Sequence, residues 1–308
     1  MTAAEGAIAA KDRPGYRAAR RRETASAYLL LIPSFIGVGI FLVVPVLLVV
    51  VLSLFRWNLI SPPTFVGLEH YAALASDSKL ANSIWVTFTF VLMAIPASII
   101  LGLLLAVAIN RGLPGTGWLR VIYVLPWVCA PLTLGVVWRW IFDPSNGALN
   151  TLLGRRIEWM SDPNLALPAV AFVSVWSSVG YVSLFFLAGL QQIPSSVYEA
   201  AKLDGAGPVR TLWSITMPLL MPTTFFVTVT SVISSFQVFD LVYGLTGSAT
   251  GYPAGSTDVI AARIYQDAFV SHHIGSASAM AFCLFVVLVV VTLIQQRWFS
   301  GRITYDMT

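Results

Sequence analysis

Charge is the scarcest property of this chain. Only 10% of its 308 residues are Asp, Glu, Lys or Arg, where a soluble globular protein carries about 25%. A chain so poor in charge cannot clothe a water-facing surface, which excludes an ordinary soluble fold of one or two domains. Cysteine and histidine are scarce too, at 2 and 3 residues. That leaves no disulfide framework and no His/Cys/Glu cluster with zinc spacing. Cys129 and Cys283 each sit in an apolar run and are expected to be buried small hydrophobes. A glycine-rich phosphate loop ending in Gly-Lys-Ser/Thr is missing, so the chain cannot hydrolyse ATP by that chemistry. No carboxylate pair or nucleophile–base set suggests an enzyme. The net charge of +4 is no nucleic-acid signature, because the basic residues gather at the ends of apolar segments. What is abundant is apolar: 57% of residues and a mean hydropathy of +0.80. Lipid is the solvent for most of this chain.

About 20 apolar residues cross a bilayer as a helix. Six runs qualify: Ala27 to Phe55, about Ser83 to Ile109, Trp118 to Phe142, Leu165 to Leu190, Leu219 to Leu245 and Ser276 to Gln295. Pro33, Pro45, Pro96, Pro126 and Pro131 lie inside them, as membrane helices tolerate. The first run is far longer than the about 7–15 residues of a signal-peptide core, and "SLFRWNLISPP" follows it in place of a small-residue cleavage site. It is expected to be a retained helix. An even number of spans puts both termini on one side. That side would carry Lys11, Arg13, Arg17, Arg20, Arg21, Arg22, Arg111, Arg120, Lys202, Arg210, Arg297 and Arg302. The opposite side would carry Arg56, Lys79, Arg139, Arg155, Arg156 and Arg263. Cytoplasmic loops hold the excess of Lys and Arg, so both termini are expected in the cytoplasm. Residues 1–25 read as a basic cytoplasmic tail on the anionic leaflet, 26–300 as the six-helix membrane domain and 301–308 as a second tail.

Between the fourth and fifth runs the chain turns polar: "SSVYEAAKLDGAGPVRTLWSITMPLLMP", Ser195 to Pro222. Ser196 followed by Glu199 has the spacing of a capping box. Gly205 is placed to end the helix in a left-handed turn, and Pro208 stops its continuation. A helix of about two turns is unstable alone, so it must lie on the membrane or dock on a partner. Val197, Ala200, Ala201 and Leu203 are small or apolar enough to pack there, and Glu199, Lys202 and Asp204 supply charges at the rim.

This stretch resembles the signature loop of ABC-importer permeases: Glu-Ala-Ala, three residues, Gly, nine residues, Ile, one residue, Leu-Pro. Glu199, Ala200, Ala201, Gly205, Ile215 and Pro218 fall on those positions, and Met217 stands where the family usually has Leu. "FVGLEHYAAL" (Phe65 to Leu74), "LPWVCAPLTLGVVWRWIFDPSNGALN" (Leu125 to Asn150) and "SSFQVFDLVYGLTG" (Ser234 to Gly247) are similar to carbohydrate-uptake permeases of the maltose and glycerol-phosphate type. The resemblance implies an all-α polytopic membrane protein with six transmembrane helices and the type I ABC importer permease fold. It implies a multi-pass subunit of a bacterial or archaeal cytoplasmic membrane, forming half of a path for a sugar or sugar-like solute. It implies a second permease subunit, in this subfamily usually a different chain, with two ATPase subunits and an external solute-binding protein. Nucleic acid is not among the partners. No cofactor is implied for this chain, and ATP and Mg would sit on the ATPase subunits. Residues 191–218 become the coupling loop, whose helix, with Asp204 beside the signature positions, sits in a cleft on the ATPase.

In the maltose-type family the sugar lies mid-membrane between the fourth and fifth helices. Counted from the coupling glutamate, the sugar-contacting positions fall on Ser177, Ser178, Tyr181, Ser231, Ser235 and Val238. Val238 replaces an expected polar amide. Ser231 and Ser235, four apart, share one helix face; the competing expectation is that such serines are helix–helix glue. Asp240 is the one acid inside an expected span, where acids are functional by default; toward the outer third of that span water or Arg139 would satisfy it, and a structural role is the expectation slightly favoured. Trp127, Trp138, Trp140 and Trp298 are expected in the interfacial belt. His272 and His273, adjacent on the chain, cannot face one another and read as solvated. An ion-gradient-driven secondary transporter is the alternative, and it would call for charge pairs in the spans and an internal helix repeat.

Overall fold

The computed structural model describes residues 14–110 and 115–300, residues 14–22 and 25 by backbone alone. Lys11, Arg13, Arg111 and Arg302, residues 1–13 of the expected first tail and the 301–308 tail lie outside the described residues.

The chain opens with α1 (Pro14–Val38), a π-helical turn (Gly39–Val43) and α2 (Val44–Leu52), in continuous right-handed helical conformation. The turn has a local cause. Pro45 donates no bond to the carbonyl four residues back and its ring crowds that group, and the helix widens just before it. This span, Ser26–Leu52, has no buried residue in its apolar window, and it forms one unit of the chain.

The second unit begins with a short hairpin, β1 (Phe55–Arg56) antiparallel to β2 (Thr64–Phe65), Phe55 opposite Phe65. Then come α3 (Glu69–Ala75), α4 (Ser78–Ile109), α5 (Thr116–Val128), α6 (Pro131–Ile141), α7 (Ala148–Leu153) and α8 (Pro163–Gln192). Asp77 and Asp162 cap α4 and α8, accepting from the Lys79 and Asn164 amides at 2.8 Å, as helix N-termini require. The polar loop forms α9 (Ser195–Leu203), α10 (Pro208–Thr211), a π-helical turn (Leu212–Thr216) and α11 (Met217–Leu219). Last come α12 (Met221–Phe236), α13 (Asp240–Thr246), α14 (Ile260–Tyr265), a third π-helical turn (Gln266–Val270) and α15 (Ile274–Ser300).

Four helical stretches are long and apolar enough to cross a membrane alone, and two bent pairs supply the others, giving six spans. Two of these spans are bent. The third span bends by 96° between α5 and α6. Ala130 precedes Pro131 and is extended (φ −58, ψ 128), because a residue before proline is pushed out of the helical region. The fifth span bends by 70° after Leu219 and stops at Phe236, short of the expected Leu245. Asp240 therefore lies beyond the helix of that span. It is exposed in the first turn of α13, where free amides and the helix dipole favour a carboxylate. The Arg139 guanidinium lies instead against Gly247, the left-handed residue closing α13. Among the described residues it makes no ion pair with Asp240.

Two buried clusters hold the unit together. One joins Val86 and Phe90 of α4, Val170 and Val173 of α8, Leu241 and Val242 of α13, and Val259. The other joins Ala106 and Ile109 at the end of α4, Phe186 and Leu190 of α8, Leu220 and Val227, with Val197 and Tyr198 of α9 packed against it. These clusters mark opposite ends of α4. The loop after α13 belongs to the first end: Asn82 donates to the Gly255 carbonyl at 2.9 Å and Ser83 to Asp258 Oδ2 at 2.7 Å. Asp258 is the buried acid that sequence reading missed. Burial pushes its carboxyl above the usual carboxylate range, against the opposing Ser83 bond and the charge of Arg263.

Both cysteines are exposed on this chain, against the expectation of burial. The inside-out logic that buries cysteine in water does not apply where the surroundings are themselves apolar. His272 and His273 are exposed before α15, His273 facing Asp267 at 3.3 Å.

Candidate functional site

Where α8 and α12 face one another, a cavity of about 200 Å³ opens. Ser178, Tyr181, Ser231, Ser235 and Val238 line it, five of the six positions singled out in the sequence. Ser177 does not; its hydroxyl donates to the Ser174 carbonyl at 2.9 Å. The cavity is polar for a specific reason. Some hydroxyls on these helices are consumed locally: Thr228 donates to Thr224 O at 2.7 Å and Thr230 to Phe226 O at 2.9 Å. Ser98 and Ser178 satisfy each other at 2.9 Å. Ser231, Ser234, Ser235 and Ser174, all on the wall, have no side-chain partner among the described residues. Their donors and acceptors are open to the cavity. None of the lining residues is charged.

The wall also holds Trp127, which sequence reading placed in the interfacial belt. Its ring stacks on Tyr181, centroids 4.5 Å apart and 16° from parallel. The stack follows from backbone packing. Gly180 touches α5 so closely that a Cβ would fall on the Tyr123 carbonyl; Trp127 lies one turn on from Tyr123, and Tyr181 follows Gly180. Trp138 is edge-on to Phe172 and Trp176, at 5.6 and 5.2 Å. Trp140 and Trp298 are exposed.

The second site is the polar loop. Helix α9 starts two residues earlier than the capping-box register requires: Pro194 is the N-cap, extended (φ −58, ψ 139), with no side-chain bond. Ser196 is thus already in the first turn. The C-terminus forms as expected. Gly205 is left-handed (φ 73), its amide reaches Lys202 O at 3.1 Å and the Ala206 amide reaches Ala201 O at 2.9 Å, the paired bonds of a Schellman motif. Ala201 is buried and Val197 half-buried against the chain itself. Only Ala200 and Leu203 of the expected apolar contacts face outward, Leu203 at 89% exposure. Glu199, Asp204, Gly205 and Pro218 are exposed, and Ile215 is half-buried. Helix α9 is thus rooted in the bundle by one face and presents the other. Nothing within 4 Å occupies the space beside Gly205.

Comparisons with known proteins give the family. The family model described as "Binding-protein-dependent transport system inner membrane component" matches residues 65–305. The chain is 36% identical over 283 residues to the sn-glycerol-3-phosphate transport system permease protein UgpA of Agrobacterium fabrum, covering 90% of this chain and 96% of that one. It is 34% identical to the sulfoquinovosyl glycerol transport system permease protein SmoG of the same organism, covering 88% and 89%. A chain of a bacterial ABC transporter involved in the import of the acidic polysaccharide alginate shares the fold, with a TM-score of 0.74 and 21% identity over 92% of this chain and 98% of that one. The chain belongs to the binding-protein-dependent transport system inner membrane components, and is a multi-pass, non-catalytic permease subunit of an ABC importer whose ATPase is a separate subunit.

Proposed function

We propose that this chain forms half of the translocation path for a sugar or sugar-like solute, with the cavity between α8 and α12 as its contact region. The supporting observation is the wall itself. Unpartnered hydroxyls on Ser174, Ser231, Ser234 and Ser235 stand beside the Trp127–Tyr181 stack, with no charged side chain among the lining residues. A sugar leaving water needs replacement hydrogen bonds for its hydroxyls and an apolar surface for its ring face. Each neutral bond contributes about 0.5–1.5 kcal/mol net, so Ser231→Ala or Ser235→Ala should weaken uptake only modestly. The sharper test is chemical. Cysteine is placed at 231 or 235 in a chain lacking Cys129 and Cys283, and a water-soluble thiol reagent is added during transport. Labelling that excess solute suppresses is expected; silence of both cysteines throughout the ATP cycle would make these serines packing residues.

The same proposal gives α9 to the ATPase, through Glu199, Ala200, Ala201, Asp204 and Gly205, with Ile215 and Pro218 shaping the return. ATP and Mg belong to those two partner subunits. A second permease, in this subfamily usually a different chain, would complete the path, and an external solute-binding protein would deliver the solute. The termini and α9 are assigned to the cytoplasm, and the loop after α13 to the outside. The packing supports opposite sides for the two loops, since they attach to opposite ends of α4. Reporter fusions after Arg22 and Gly207 are expected to read cytoplasm, and one after Thr250 the exterior. An exterior signal at Gly207 would overturn the topology.

A further inference from the structure

A groove of about 610 Å³ lies between the end of α4 and the polar loop. The translocation path does not use it, and it is amphipathic along its length. Its apolar floor is Leu104 and Val107 of α4 with Leu190 of α8. Leu104, Val107 and Asn110 recur every third residue, which sets them on one face of the helix. Its loop side carries the polar groups, Asn110, Tyr198 and the Lys202 side chain, beside apolar Ala206, Pro208, Val209 and Leu212. Lys202 is exposed and has no ion pair among the described residues, and the same holds for Arg210 on the adjoining α10. Glu199 and Asp204, the acids of the same loop, do not line the groove. The Asn110 amide likewise has no side-chain partner among the described residues. Leu104 is 54% exposed in this chain, so the apolar end is open where the helix meets lipid.

We propose that this groove holds one anionic phospholipid of the cytoplasmic leaflet, an acyl chain along Leu104, Val107 and Leu190 and the phosphate at Lys202. An apolar floor ending in an unpaired cation at the membrane boundary matches a lipid with a negative headgroup, and basic pockets between helices on the cytoplasmic side bind such headgroups. A soluble anion would have no use for the apolar floor, and in a zwitterionic lipid the headgroup's own cation offsets the phosphate charge that Lys202 would meet. The assignment takes from the proposed topology only that this end of α4 faces the cytoplasm. A lipid seated here touches both the membrane helices and α9 (Tyr198, Lys202), so the coupling helix would sense the leaflet.

The test is native mass spectrometry of the intact importer in detergent containing phosphatidylglycerol or phosphatidylcholine, counting only fully assembled complexes. Lys202→Glu removes the cation, and Leu104→Trp fills the floor without touching the loop. The wild-type complex is expected to keep one more phosphatidylglycerol than either variant, to show no such difference with phosphatidylcholine, and to keep the lipid in excess inorganic phosphate. Equal phosphatidylglycerol counts in wild type and both variants would overturn the proposal. So would equal retention of phosphatidylcholine, or displacement by inorganic phosphate alone. The readout is lipid stoichiometry, so it stands or falls apart from the identity of the transported solute.

Discussion

Gly205→Val is expected to leave the chain in the membrane and to abolish solute-stimulated ATP hydrolysis and uptake. Gly205 closes α9 at φ 73, a conformation that costs a residue with a Cβ about 1–3 kcal/mol, most for a branched one. Relaxing that strain breaks the Ala206–Ala201 and Gly205–Lys202 bonds. The nine-residue helix, too short to persist by itself, then loses the end that fixes its outward face. Space is not the issue, since nothing lies within 4 Å of a Cβ at this position. Gly205→Asn is therefore the informative companion. Asparagine tolerates the left-handed region, so that variant should keep most of the wild-type rate. Equal loss in both would point to an ATPase surface that admits no side chain there. Normal uptake in the valine variant would remove α9 from the coupling role.

Gly180→Val should act on the fold and the cavity together. A Cβ there falls on the Tyr123 backbone carbonyl, and backbone cannot step aside as a side chain can. Helices α5 and α8 must separate, at a cost of about 1–3 kcal/mol or more, and the Trp127–Tyr181 stack on the cavity wall opens with them. The expected result is a lower melting temperature of the purified complex together with lost uptake. Gly117→Ala, on the same α5 with open space around it, should change neither. An unaltered melting temperature in Gly180→Val would mean that the two helices are not in backbone contact.

What was legible in the sequence and what was not divides along physical lines. The spans were legible because twenty-odd apolar residues in a row have few alternatives to crossing a bilayer. The left-handed end of α9 was legible because glycine at the right spacing is a local signal. The break at Ala130 was half legible. Pro131 marks it, but membrane helices also carry prolines without breaking, so proline alone does not say which span bends. The cysteines were misplaced because an apolar residue in a membrane protein has two apolar places to be. The place of Trp127 on the cavity wall was not legible because its side depends on the rotation of α5, which the contact at Gly180 fixes from a distance in sequence. Asp258 could not be foreseen, since its burial depends on Ser83, far back in the chain. Five of six path positions met at one cavity because they are set by spacing along two helices.

The most direct measurement is uptake into sealed proteoliposomes holding this chain with its partner permease and ATPase, the loaded solute-binding protein outside and ATP inside. Ionophores that collapse proton and sodium gradients are added in parallel. Uptake that continues with ionophores and ceases without ATP is the result predicted for a permease driven through α9. Uptake that needs no ATP and disappears with the ion gradients would contradict it.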